Sequence, residues 1–166
     1  MVQAESNGGG VRGGRAKLGG RGAAPRPDTA RRARQRVLFV CVGNSCRSQM
    51  AEAFARAYGA DVMEAHSAGL APAPVIMPHT RAVLAEKNLR LDGQFPKSLE
   101  TVAREPFDLV VNMSGRKLPA PPGRVIDWPV ADPVGQPEQT YRAVAAQIED
   151  LVMRLILKLR SQTGGI

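Results

Sequence analysis

The chain has few of the groups that most often carry chemistry: 2 histidines and 2 cysteines in 166 residues, with aromatic residues at only 4%. Two cysteines cannot build the multi-bridge framework of a small secreted domain, and with two histidines they offer few ligands for a structural zinc. Any chemistry is then expected to be metal-free thiol chemistry. No apolar run approaches the roughly 18 residues that a membrane span needs, and the basic N-terminus leads into no signal-peptide core, so a soluble cytoplasmic protein is expected, with no membrane partner. What is present is aliphatic: 43% of residues are hydrophobic and 23% charged, enough for one packed domain whose core is filled by aliphatic side chains.

Acidic residues are scarce in one place. Residues 1–36 hold nine Lys or Arg against Glu5 and Asp28, together with 8 of the 17 glycines, whereas the remainder is nearly balanced in charge. The formal charge of +8 therefore belongs mostly to this Gly/Arg-rich segment. It shows no helical or strand period and too little apolar surface to offset its ordering entropy, so a disordered tail is expected over 1–36 and the folded domain over 37–166. Contact of the tail with RNA through charge is the weaker reading beside a solvated extension without function.

From Val37 the pattern changes. Val37 to Val40 is a continuous apolar run, the mark of a strand buried on both faces of a parallel sheet. Ser48 reads as the cap of a helix in which Met50, Ala51, Phe54, Ala57 and Tyr58 recur at spacings of three and four, ended by Gly59. Further strands are predicted over 61–67, 107–113 and 124–130, helices from Pro78 to about Asn88 and from about Glu138 to Arg160, and a helical turn over 98–104. Strands alternating with helices predict a three-layer α/β fold, a four-stranded parallel sheet flanked by helices.

The informative stretch is Cys41 to Ser48, CVGNSCRS, between the first strand and the first helix. In a parallel α/β sheet the crevice beyond the strands' carboxyl ends is where ligands bind, and Cys41 falls at that edge. If the loop curls at Gly43 and Asn44, the backbone N–H groups from Val42 through Ser45 and Cys46 to Arg47 converge, and the helix N-terminus adds partial positive charge: an oxyanion cradle that favours a thiolate at Cys41. Arg47 would grip a tetrahedral anion with its planar guanidinium, and Ser48 would either hydrogen-bond the thiolate or cap the helix. The curvature also predicts that Cys46 comes within disulfide reach of Cys41, as a redox partner that protects it from over-oxidation. The plain alternative, a buried apolar cysteine and a surface arginine, fits this order of residues poorly.

The segment VLFVCVGNSCRSQMAEAF (37–54) resembles the signature of the low-molecular-weight protein tyrosine phosphatases and of the arsenate reductases built on the same fold. Ser67-Ala68-Gly69, Asp108 to Val111 (DLVV) and Asp132-Pro133 extend the resemblance over 37–160. It implies catalysis by Cys41 and Arg47 with Asp132 as general acid, since a carboxylic acid facing the thiolate protonates the leaving group and then activates water. Asp127 competes by position, but its apolar strand argues for a structural role. Val42, Gly43, Asn44, Ser45, Cys46 and Ser48 would bind the oxyanion, Asn44 also holding the loop. In some relatives the residues matching Asn44, Glu52 and Ser67 bind potassium; Glu52 reads here as a solvated helix residue, no cofactor or metal is expected, and His66 and His79 match nothing catalytic.

Two activities fit this resemblance: a phosphatase acting through a phosphocysteine on a phosphorylated protein or small phosphate, and an arsenate reductase. The thioredoxin-coupled reductases carry two further cysteines after the third strand, where this chain reads Asn112-Met113-Ser114-Gly115. Gln49-Met50 resembles reductases, and Asp132-Pro133-Val134-Gly135 lacks the aromatic pair of many phosphatases. The complete hydrolytic set makes the phosphatase the first expectation; the alternative is a reductase using Cys46 or an external thiol such as glutathione or mycothiol.

Overall fold

The computed structural model describes residues 34–164, and the basic tail before them lies outside the described residues. Four strands, β1 (Gln35–Cys41), β2 (Met63–Gly69), β3 (Leu109–Asn112) and β4 (Arg124–Asp127), form one all-parallel sheet in the order β2-β1-β3-β4. Four helices connect and flank them: α1 (Arg47–Tyr58), α2 (Pro78–Glu86), α3 (Leu99–Val102) and α4 (Glu138–Thr163). The expected α/β class, strand number and direction are observed.

β1 starts two residues before the apolar run. Gln35 and Arg36 pair with Met63 and Glu64, and Arg36 is held by Glu105 at 2.6 Å, by Asp108 at its backbone N–H (2.7 Å) and by the face of Phe107. These ties involve backbone and charge, so hydropathy alone does not reveal them. β2 is displaced two residues toward the C-terminus from its predicted span, because Gly59 to Val62 still belong to the turn leaving α1.

Residues of β1 alternate between two layers. Val37, Phe39 and Cys41 join the larger core with α1, α2 and α4, whereas Leu38 and Val40 pack with Leu99, Phe107 and Val110 on the opposite face. The scarce aromatics are used where volume counts: Phe39, Phe54 and Tyr141 are fully buried, each worth about 1.5–3 kcal/mol of apolar burial. Gly59 does cap α1, yet its φ is −126°; a Cβ there would meet Ile156 Cγ1 at 2.7 Å, so close approach of α4 is what demands glycine.

With β1 central, β2 lies on one side and β3 on the other. The chain reverses its order of strand addition at the carboxyl end of β1, the place where open α/β sheets bind ligands. Cys41 is the last residue of that strand.

Candidate active site

The loop after β1 is fixed by its carbonyls. Those of Cys41, Val42 and Gly43 accept from the N–H groups of Leu70, Ala71 and Ala73, that of Asn44 from Gln49 Nε2, that of Ser45 from Met77 N–H and Thr80 Oγ1, and that of Cys46 from Met50 N–H, all at 2.9–3.1 Å. Trans peptide geometry points the N–H that follows each of these carbonyls the opposite way, away from the segments that hold the loop. Gly69 is required here: a Cβ would lie 2.7 Å from Val42 O and 2.8 Å from Asn44 N. The Ser67-Ala68-Gly69 motif thus lets β2 pass under the loop.

Asn44 adopts the left-handed conformation with φ of 47°. Its Oδ1 accepts from Lys97 N–H at 2.9 Å and its Nδ2 donates to Ser48 Oγ at 2.7 Å. Ser48 Oγ in turn lies 2.9 Å from Cys41 Sγ. Because Asn44 supplies a proton to that oxygen, the serine's own hydroxyl proton is free to point at the sulfur, which stabilises a thiolate. Ser48 is therefore not the helix cap: Cys46 occupies that position, with no side-chain cap, and Ser48 sits in the first turn facing Cys41. Asn44 and Ser48 are fully buried and act on the loop from beneath it rather than lining the pocket.

Arg47 is also buried, its side chain only 5% exposed. One terminal nitrogen donates to the carbonyls of Met113 (2.6 Å) and Val130 (3.1 Å), and the other lies 3.3 Å from Asp132 Oδ2. Its Nε is one of two buried polar side-chain atoms without a partner among the described residues, the other being Tyr141 Oη. A buried guanidinium N–H without an acceptor is costly. Both terminal nitrogens of the fork are engaged, and Nε alone lacks an acceptor.

A cavity of about 230 Å³ brings Cys41, Val42, Gly43, Ser45, Cys46, Arg47 and Asp132 together, as the sequence led one to expect. Ala73, Met77 and Val134 complete its wall and had no recognisable signature. Asp132 is half exposed and accepts a hydrogen bond from Val134 N–H at 3.1 Å, an Asx turn that directs its second oxygen at Arg47. Asp127 ends β4 at the surface, accepting from Asn112 Nδ2 at 2.7 Å, in keeping with a structural role.

Cys46 differs from Cys41 although both are buried. Burial pushes the Cys46 thiol up to about 12, only partly offset by a hydrogen bond with Thr80. Glu52 corrects the sequence reading. It is buried, not solvated: Ser67 Oγ donates to its Oε2 at 2.7 Å and Arg56, one helical turn on, pairs with Oε1 at 2.7 Å. Ser67 and Arg56 satisfy Glu52, while the Asn44 side chain is satisfied separately by Ser48 and Lys97. His66 and His79 pair with Glu64 and Glu138, away from Cys41.

A parallel α/β domain that presents a serine-bonded cysteine and a buried guanidinium at its switch point has the groups that cysteine-dependent chemistry on an oxyanion would need. The chain belongs to the low molecular weight phosphotyrosine protein phosphatase family, whose model matches residues 36–164. Among relatives, a glutaredoxin arsenate reductase from Synechocystis is 35% identical over 130 residues, covering 75% of this chain and 98% of that protein. The solved structure titled an arsenate reductase in the phosphate binding state superposes with a TM-score of 0.68 at 34% identity, over 75% of this chain and 98% of the other. YwlE arginine phosphatase from Geobacillus stearothermophilus also superposes with a TM-score of 0.68, at 28% identity over 77% of this chain and 94% of the other. No helix among the described residues is long and apolar enough to cross a membrane.

Proposed function

We propose that the chain is an arsenate reductase that uses Cys41 as nucleophile, Arg47 as oxyanion clamp, Asp132 as proton donor and an external thiol as reductant. The carrying observation is the pocket: about 230 Å³, walled beyond the loop by Ala73, Met77 and Val134, with no aromatic side chain to hold a phenyl ring. Such a site suits a bare tetrahedral oxyanion. The similarity to arsenate reductases supports the same choice over the phosphatase that the sequence placed first.

In this reading the Cys41 thiolate attacks arsenic, Asp132 protonates the departing hydroxide, and Arg47 with the loop N–H groups holds the remaining oxygens. The adduct must then receive two electrons. Cys46 is a poor source, because a thiol pushed up to about 12 is almost wholly protonated near neutrality, and the chain has no third cysteine. An external thiol remains. The phosphatase is kept as the second reading because Asp132 stands 3.3 Å from Arg47, where a general acid for ester cleavage would also stand.

The test is purified protein with arsenate plus dithiothreitol, glutathione, mycothiol or a thioredoxin system, and in parallel with p-nitrophenyl phosphate. Arsenite formation that needs a thiol and Cys41 supports the reductase. Hydrolysis of the ester at ordinary enzymatic rates, with no arsenite under any thiol, replaces it with the phosphatase.

A further inference from the structure

The largest cavity among those described, about 600 Å³, is not at Cys41 but one strand away, at the carboxyl edge of β3 and β4. Asn112, Arg116, Lys117, Asp127 and Trp128 define it. Asn112 pairs with Val40, the residue before Cys41, so the cavity begins about 4.8 Å from the nucleophile's strand. The two segments that line it are the same two that hold Arg47. Met113 and Val130, whose carbonyls grip the guanidinium, directly follow Asn112 and Pro129 of the cavity wall. Arg47 of the small pocket is thus held by the residues that directly follow the outer cavity's wall.

The lining of the outer cavity is amphoteric. Arg116 and Lys117 are exposed, and neither has a carboxylate within ion-pair distance among the described residues. The backbone of Arg116, by contrast, is fixed: Ser114 Oγ accepts from Arg116 N–H, and Arg116 O accepts from Asn112 Nδ2. Asp127 adds one exposed carboxylate, held by Asn112. Trp128 forms an apolar wall and is itself braced against Phe39 at 5.9 Å between ring centres. Two unpaired cations, one anion and an aromatic face, set beside a nucleophile that lacks an internal reductant, describe a particular ligand.

We infer that this outer cavity is the docking site of the reductant, a low-molecular-weight thiol carrying carboxylates and an amine, of which glutathione is the probe. The inference rests on the reductase reading. Arg116 and Lys117 take the two carboxylates, Asp127 the ammonium, and Trp128 packs along the backbone of the thiol. The seated thiolate attacks Cys41 Sγ of the arsenate adduct. A sulfur–sulfur bond forms, the sulfur–arsenic bond breaks with its electron pair passing to arsenic, and As(V) leaves as arsenite, As(III). A second glutathione thiolate attacks the mixed disulfide at the glutathione sulfur and returns Cys41 as thiolate. Overall, arsenate and two thiols give arsenite, one disulfide and water.

The chain's single tryptophan lies in this cavity, so its fluorescence reads binding directly. Full-length protein is titrated with S-methylglutathione, which binds but cannot reduce. A saturable change is expected in the wild type, weakened about tenfold or more in Arg116→Glu/Lys117→Glu. Both positions are exposed, and unchanged arsenate reduction with neutral dithiothreitol checks that the variant is folded and active. In the same variant kcat/KM for glutathione falls about tenfold or more. No saturable change, equal affinity in the variant, or turnover supported by a thioredoxin system but by no small thiol overturns the assignment. Absence of arsenite with every reductant sinks the reductase reading separately, while the S-methylglutathione titration still judges the cavity.

Discussion

Two loops meet at the pocket, and they are built in opposite ways. In the loop 42–46 every carbonyl is spoken for, Asn44 makes hydrogen bonds from both ends of its side chain, and Gln49 is locked by Gln94 at 2.8 Å. The loop 131–136 is open: Asp132 is half exposed, and its visible restraints are the Asx turn to Val134, a turn bond from Gln136 N–H to Pro133 O and the ion pair to Arg47. The first loop must present N–H groups to an anion at sub-ångström precision before the substrate arrives. The second must deliver and remove a proton, and tolerates looser geometry. Preorganisation is concentrated where charge is bound and relaxed where protons move.

The largest effect expected is at the thiol. Cys41→Ser should lower turnover by more than about 10³-fold in either activity, while phosphate still binds, because the loop N–H groups and Arg47 are untouched. Phosphate titration followed by NMR checks the second half. Residual turnover at a tenth of wild type would break the proposed chemistry.

The contrast between the loops is sharpest in a pair of variants. Asp132→Ala should cost about 10²-fold or more in rate, increasingly so for poorer leaving groups, with little change in melting temperature. Asn44→Ala should cost both: it removes two side-chain hydrogen bonds, to Ser48 and from Lys97, around a left-handed residue, worth about 2 kcal/mol and a melting temperature lower by roughly 5 °C. If Asp132→Ala destabilised the fold as much as Asn44→Ala, the two loops would not differ as argued. Ser48→Ala follows with a smaller loss, about tenfold in rate, since the thiolate keeps the N–H groups but loses one hydroxyl donor.

The first loop was legible in the sequence because its logic is local. Strand, glycine, asparagine, cysteine, arginine and serine in order place a tight loop at the sheet's edge, and Asn44 takes the left-handed backbone, although Asn44 and Ser48, expected among the oxyanion binders, lie outside the pocket lining. What was not legible came from distant segments. Nothing in the spacing says that residues 70–77 pin the loop carbonyls, that Thr80 reaches Cys46, or that the carbonyls of Met113 and Val130 hold Arg47. Glu52 failed for the same reason. On its own helix it reads as a solvated residue, and its burial against β2, where Ser67 donates to it, comes from a distant segment.

The smallest effect expected separates the two thiols. Cys46 shares the loop with Cys41, yet burial holds it neutral, pushed from near 9 up to about 12. At pH 7.5 iodoacetamide should label Cys41 and leave Cys46 unmodified in the folded protein, as peptide mass mapping reads, and Cys46→Ala should change glutathione-supported turnover by less than about threefold. Stability then follows from proton counting. Below pH 9 the thiol is protonated in folded and unfolded chains alike and contributes no pH dependence. Between about 9 and 12 the unfolded chain releases the Cys46 proton while the folded one retains it, so the unfolded state binds fewer protons and stability falls as pH rises. Cys46→Ala should therefore flatten the alkaline decline in melting temperature relative to wild type. Rapid alkylation of Cys46 at neutral pH, or a large loss of turnover in Cys46→Ala, would instead make it the resolving thiol and remove the need for an external one.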